Sequence, residues 1–272
     1  MKRLVIRPGL EHISVPSPTL PPATTTNAWI LQEHTIVDPA ASTKKNKEAL
    51  AHLLENAPPK RIFLTHHHND HISSATFLRE RFHIPIVCSK ITSEQLPFEI
   101  DDICGDGEIL SDIQEEWIIY ETPGHAKGHL CLHSKQYRDI IAGDMVAGEG
   151  TILLIPGDGD FGDYITQLKR LKALLPERLM PAHGPIIENA QEYLQHYIDH
   201  RCARLAQIAS HLSETVKTPY QLAEEIYTEV PKAVLPIAAK QILCHLYHLE
   251  ETQKAKQLSD GWTTAQPSQN QR

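Results

Sequence analysis

An α/β fold that gives way to a small, mostly helical C-terminal unit is predicted by three features of this sequence. Short apolar runs of strand type alternate with stretches of helical periodicity up to about residue 181. The strand patterns stop near Ile186, and from there to about Glu251 the apolar spacing is almost wholly helical. The third feature is the loop FLTHHHNDHISSA at 63–75, where the run Ile62-Phe63-Leu64 delivers the chain into His66, His67, His68, Asp70 and His71. The change of pattern divides the 272 residues into units 1–187 and 188–272.

Taken in order, Ser14–Thr26 is rich in Pro and Thr and reads as an irregular loop. Strands are expected around Ala28–Gln32 and Thr35–Val37, the second closed by Asp38-Pro39. Ser42 or Thr43 can cap a helix that runs to about Asn56 and buries Leu50, Leu53 and Leu54. Pro58 and Pro59 end it, and Arg61–Leu64 is a short buried strand. A helix from Ile72 to Phe82 follows the histidine loop. Strands are then expected at Ile84–Cys88, Glu116–Tyr120, Leu130–His133, Asp139–Ala142 and Arg178–Pro181, with a helix over Asp163–Leu175. The C-terminal unit reads as helices at Asn189–Ser213, Pro219–Val230 and Leu235–Glu251, then a hairpin turning at Asp260-Gly261. Helix, helix, helix, hairpin is the order of a winged helix.

Composition narrows the class. Hydrophobic residues at 41% and charged residues at 22% describe a globular chain. A formal charge of −8 argues against a strongly electrostatic nucleic-acid surface, and the residues from 191 onward carry 8 Lys+Arg against 9 Asp+Glu. Five scattered cysteines without a Cys-x-x-Cys pair read as buried thiols in a reducing compartment. No apolar stretch reaches membrane-spanning length, so a soluble cytoplasmic protein, or a mitochondrial matrix one in a eukaryote, is expected. The sequence leaves monomer and homo-oligomer open.

The chemistry lies at strand ends. His66-x-His68-x-Asp70-His71 offers imidazole and carboxylate ligands, a set that suits zinc and extends to manganese or iron. Glu121-Thr-Pro-Gly-His125 puts a histidine on a tight turn after a strand. Ile140-Ile-Ala-Gly-Asp144 puts a carboxylate just past a buried strand, and Met180-Pro-Ala-His183 ends another strand with a histidine. Such junctions are where α/β sheets build their sites. His67 and Asn69 read as supports of the loop, Asn27 and Asp38 as turn-fixing residues, and His129 as a partner of a ligand or a core histidine. Tyr164 reads as lining the substrate cleft or as packing at a helix start. His196, His200, His211, His245 and His248 read as surface or capping residues.

With those motifs in place, the chain resembles the metallo-β-lactamase superfamily, whose pattern is His-x-His-x-Asp-His, then His, Asp and His. The resemblance implies an αβ/βα four-layer sandwich and two divalent metal ions, zinc first. It implies His66, His68 and His125 on one ion, Asp70, His71 and His183 on the other, and Asp144 between them. GDMVAGEGTILL, DYITQLKRLKALLP and PAHGPIIENAQEYLQHYIDHRCARLAQI resemble the endoribonuclease branch called β-lactamase-like protein 2, as does the tail TPYQLAEEIY. That branch implies cleavage of single-stranded RNA; two ions would share the attacking hydroxide, and Asp70, placed to accept or shuttle a proton, reads as the general base. Zinc β-lactamases of the common class lack a ligand histidine where His71 stands and carry cysteine where Asp144 stands, which sets antibiotic hydrolysis aside. The interval from Asp144 to His183 is too short for the inserted domain of the β-CASP nucleases. The alternatives are a thioesterase or glyoxalase-II-like esterase acting on a small ester, and a non-catalytic winged-helix binding protein.

Overall fold

A computed structural model describes residues 1–32, 34–110 and 115–265. Among them, β1 (Arg3–Arg7), β2 (Leu10–Pro16), β3 (Thr25–Leu31), β4 (Thr35–Val37), β5 (Arg61–Phe63), β6 (Ile86–Cys88) and β7 (Asp102–Ile103) form one sheet in that order. Pairing is antiparallel as far as β4 and parallel from β4 to β7. A second sheet has the order β11 (Arg178–Pro181), β10 (Asp139–Gly143), β9 (Leu130–Ser134), β8 (Trp117–Glu121), with β10 and β11 parallel.

Alternation of side chains sorts each strand between two layers of core. Trp29, Leu31, Val37, Phe63 and Val87 of the first sheet meet Trp117, Ile119, Leu132, Ile141 and Met180 of the second. The opposite faces are covered too. Ala28, Ile30, Ile36, Ile62 and Ile86 pack under α1 (Lys44–Leu54) and α3 (Ala75–Phe82), where Leu50, Leu54 and Leu78 point inward. Cys131, Ile140, Ala142 and Leu179 pack under α5 (Phe161–Ala173) and the start of α6 (Ala190–His211). Helix, sheet, sheet, helix is the four-layer arrangement. Where both faces are covered, as in β4, β6, β9 and β10, every residue of the strand is buried, and each fully buried Leu or Ile contributes about 1.5–3 kcal/mol.

Beyond the middle of α6 a separate core begins. Ile208, Leu212, Leu222, Ile226, Ile242, Leu246, Leu249 and Trp262 join α6 to α7 (Pro219–Ile226), α8 (Leu235–Glu251) and the hairpin of β12 (Ala255–Leu258) and β13 (Gly261–Thr264). Thr218 caps α7 in a reciprocal box with Gln221, and Pro219 opens the helix. Leu258 pairs with Gly261, so the hairpin turns at Ser259-Asp260, one residue before the expected position.

The structure departs from the sequence reading at several elements. The Pro- and Thr-rich stretch is only in part a loop, since β2 runs to Pro16 and β3 starts at Thr25, with Pro16 paired to Thr25. The helix expected from Ile72 is split into α2 (Asn69–Ile72) and α3. Ser74 breaks it by turning both its amide and its hydroxyl to the Pro39 carbonyl, at 3.0 and 2.6 Å. Four of the cysteines are buried as expected, whereas Cys202 is exposed. Among the described residues no helix is long and apolar enough to cross a membrane.

Candidate metal centre

Four strand ends converge on one place. β5 leads into His66 and His68, and the first turn of α2 carries Asp70 and His71. β8 ends in the Pro123-Gly124 turn that presents His125, β10 delivers Asp144, and β11 delivers His183. The turn is as tight as glycine permits: Gly124 has φ +134°, and a Cβ there would lie 2.3 Å from Tyr164 Cα. All seven groups expected from the sequence meet here, with the ligand atoms of His66, His68 and His125 forming one cluster and those of Asp70, His71 and His183 another.

Each of the five imidazoles has one nitrogen engaged outside the cluster. His66 Nδ1 lies 3.0 Å from Thr65 Oγ1, whose own proton goes to Asp38. His68 Nε2 is 2.9 Å from Asp158 Oδ2, and His125 Nδ1 is 2.8 Å from the Leu153 carbonyl. His71 Nδ1 is 2.9 Å from Asp38 Oδ2, and His183 Nδ1 is 3.1 Å from the Thr25 carbonyl. An acceptor at the outer nitrogen fixes the N–H there and leaves the inner nitrogen a lone pair. The inner nitrogens then face one another: His68 Nδ1 is 3.0 Å from both His66 Nε2 and His125 Nε2. Lone pairs at that separation repel unless a cation lies among them.

Asp144 faces both clusters. Its Oδ2 is 3.4 Å from His125 Nε2, and its Oδ1 is 3.5 Å from His71 Nε2 and from His183 Nε2. Asp144 Oδ1 and His71 Nε2 are nevertheless buried without a hydrogen-bond partner. Such orphaned atoms are costly in a native fold, and a divalent cation accounts for them. Three neutral nitrogens in one group, and two imidazoles with a carboxylate in the other, fit zinc, manganese or iron.

The proton equilibria of the metal-free site differ between the clusters. Burial, helped by the charges of His71 and His68, pushes His66 well below the ordinary imidazole value. Burial likewise lowers His125 to about 4. In the other cluster burial is outweighed. Asp144 and Asp38 hold His71 well above its ordinary value, and the Asp144 and Asp70 carboxylates, each 3.5 Å away, lift His183 to about 9. Burial opposes ionisation of Asp70 as well, but His183, 3.5 Å away, and the charge of His71 hold it at about 2.

Several neighbours of the cluster emerge only in three dimensions. Asp158, which the sequence reading passed over, accepts from His68 and from the Lys127 amide at 3.1 Å, with His67 Nε2 at 3.4 Å. Its signal was the doubled acidic turn Gly157-Asp158-Gly159-Asp160. Asp38 does more than close a strand, since it binds Thr65 and His71 together. Asn27 donates to the Pro181 and Gly184 carbonyls and so ties β3 to the His183 loop. His129 spends both ring nitrogens, one on Thr122 Oγ1 and one accepting from the Asp144 amide at 3.0 Å, and is left with none for a metal. Tyr164 does not line a cleft: it is fully buried and donates to the Met145 carbonyl at 2.7 Å. His245 is not a surface residue either, being fully buried with its ring 4.7 Å from Phe161. A cavity of about 590 Å³ lined by Pro8, Gln32, Glu115 and Tyr137 contains none of the convergent groups.

The chain is similar to known proteins over both of its units. A family model described as the metallo-beta-lactamase superfamily matches residues 21–183, and one described as the beta-lactamase associated winged helix domain matches 218–262. A beta-lactamase-like protein 2 homolog of Caenorhabditis elegans is 30% identical over 178 residues, covering 64% of this chain and 59% of that one. A hydroxyacylglutathione hydrolase of Klebsiella pneumoniae is 32% identical over 157 residues, covering 56% and 59%. The chain therefore spans less than two thirds of the length of either relative. A metallo-beta-lactamase family protein from Thermus thermophilus superposes with a TM-score of 0.81 at 21% identity, over 96% of this chain and all of that one, a likeness of fold.

Proposed function

The chain belongs to the metallo-β-lactamase superfamily, a hydrolase family, and on that premise we propose a binuclear metal-dependent hydrolase acting on single-stranded RNA. The observation that carries the binuclear reading is the set of five imidazoles whose outer nitrogens are all occupied, around a carboxylate that faces both groups. His66, His68 and His125 are assigned to one divalent ion, Asp70, His71 and His183 to the other, and Asp144 to both.

Bound divalent cations supply Lewis acidity, polarising a phosphoryl or carbonyl group and making water acidic enough to lose a proton near neutral pH. Asp70 is assigned to receive that proton. Its carboxylate is ionised at neutral pH and so is able to accept a proton. Its side chain keeps 20% of its surface, the most open of the three acidic groups Asp38, Asp70 and Asp144. Asp38, Asp158 and the Leu153 and Thr25 carbonyls hold the imidazole rings in one tautomer, so the site does not reorganise when charge develops.

RNA is supported by the resemblance to the β-lactamase-like protein 2 branch and by the winged-helix match at 218–262. A thioester substrate is the second reading, favoured by the hydroxyacylglutathione hydrolase relative and by a C-terminal unit with no excess of basic residues. One parallel assay separates them: zinc-loaded protein on a fluorescent single-stranded RNA and on an acyl thioester. Cleavage of RNA that disappears in Asp144→Ala supports the first reading. Thioester turnover with intact RNA overturns it.

A further inference from the structure

The segment between β10 and α5 has few internal supports. From Glu149 to Leu154, among the described residues, no main-chain group pairs with another main-chain group. Buried main-chain groups need partners, and here they come from the C-terminal helices. Gln241 of α8 accepts from the Leu154 amide at 2.7 Å. On α6, Tyr197 accepts from the Ile152 amide at 3.3 Å, and Arg201 Nη2 donates to the Ile152 carbonyl at 2.5 Å. Further on, Cys244 of α8 donates to the Gly159 carbonyl at 3.4 Å. Ile152 and Leu154 are themselves buried in the core that includes Tyr197, Ile198 and Cys244.

Arg201 is 5% exposed, and among the described residues no carboxylate is paired with it; the Tyr164 and Tyr197 rings face its guanidinium at 5.2 Å each. A buried cation without a counter-ion is expensive to keep, and a carbonyl that must be held in place is a reason to keep it. What the segment carries explains why its placement matters. Leu153 supplies the acceptor for His125 Nδ1, and Asp158 the acceptor for His68 Nε2. His71 and His183, by contrast, are held by Asp38 and Thr25, which belong to the first sheet and its loops.

We propose that Gln241 and Arg201, which hold the 149–154 segment from α8 and α6, are positioning residues for His125 and, through the same loop, for His68. The proposal rests on the reading of His66, His68 and His125 as one of two cation sites. On that view the C-terminal unit is part of the metal centre, and it acts on one ion and not the other.

The test is a chelator-competition zinc titration of the full chain, with His125→Ala and His183→Ala identifying the two binding steps. Gln241→Met keeps the side-chain length and removes the acceptor; Gln241→Glu restores an acceptor oxygen. Gln241→Met should weaken only the step lost in His125→Ala, by about 10–100-fold. Gln241→Glu should lie nearer to wild type. If Gln241→Met does not fold, Arg201→Lys, which keeps the charge but loses the fork, should show the same one-sided loss. A second readout needs no metal: in the metal-free protein the His125 Nδ1–H resonance should exchange faster with water in either variant. Equal weakening of both steps, or unchanged steps with unchanged His125 exchange, overturns the proposal. A wild type that takes up no zinc sinks the metal reading instead, and the His125 exchange then decides the positioning by itself.

Discussion

Asp38 Oδ2 lies 2.9 Å from His71 Nδ1 and 2.7 Å from Thr65 Oγ1, while Asp38 Oδ1 takes the Thr65 amide at 2.8 Å. One carboxylate thus fixes both the start of the histidine loop and the ring of His71. Asp38 has φ +49°, a left-handed conformation that asparagine also tolerates. In Asp38→Asn the amide nitrogen would replace the acceptor facing His71 Nδ1. The imidazole would then accept there, and its proton would move to Nε2, the nitrogen that points at the cluster. Asp38→Asn should fold and lose about 10–100-fold in affinity at the His71 group, with a smaller loss at the His66 group through Thr65, read by zinc titration. Unchanged affinity at the His71 group would refute the assignment of Asp38 as the residue that sets the tautomer.

Proton competition should distinguish the two groups. Metal binding requires the lone pair, so a site that is protonated when empty gains affinity as pH rises through its pKa. His183 stands at about 9 and is therefore mostly protonated at neutral pH, whereas His125 at about 4 and His66, well below its ordinary value, are neutral. Affinity at the Asp70–His71–His183 group should rise with pH through about 9, the slope steepened by His71, while that of the group holding His66 and His125 should change less over the same range. Calorimetry in buffers of different ionisation enthalpy reads the same difference as proton release. Two steps with equal pH slopes would contradict it.

Gly124 links the turn before His125 to the start of α5. A methyl group there would lie 2.3 Å from Tyr164 Cα and 2.4 Å from Tyr164 N, backbone atoms that cannot give way like a side-chain tip. The φ of +134° adds strain for any residue with a Cβ. Gly124→Ala should lower stability by about 2–4 kcal/mol, the sum of overpacking and backbone strain, measured by urea unfolding of the metal-free protein. Because the displaced turn carries His125, zinc affinity should fall with it. Wild-type stability and affinity would mean that the turn relaxes freely.

How much of this was legible in the sequence depends on the range of the interaction involved. Arg178–Pro181 and Leu235–Glu251 coincide with their expected limits because local apolar patterns decide them. The seven convergent groups were legible because strand ends print their chemistry in short motifs. β1 and β2 were not anticipated: one face of β2 (Leu10) meets the inter-sheet core and the other (Ile13, Val15) the helical layer, a division only the paired sheet creates. The partners of the histidines were hidden for the same reason. Asp158 lies 90 positions from His68, and Gln241 lies 87 from Leu154, so no spacing rule relates them.

Asp144 is the group on which the two halves of the site depend together. Its two oxygens face opposite clusters, its amide is pinned by His129, and it is 7% exposed. An anion between two cations reduces their repulsion and fixes their separation, so removing it should affect both metal stoichiometry and turnover. The His66, His68 and His125 nitrogens remain in Asp144→Ala, and three imidazoles suffice to keep one zinc ion at reduced affinity. The other group would keep Asp70, His71 and His183 but lose the carboxylate oxygen that lies 3.5 Å from both of its imidazoles. Asp144→Ala should therefore fold, retain about one metal per chain by elemental analysis and lose at least about 100-fold in hydrolysis of whichever substrate the wild type accepts. Retention of two metals with near-normal turnover would show that the carboxylate does not join the two groups.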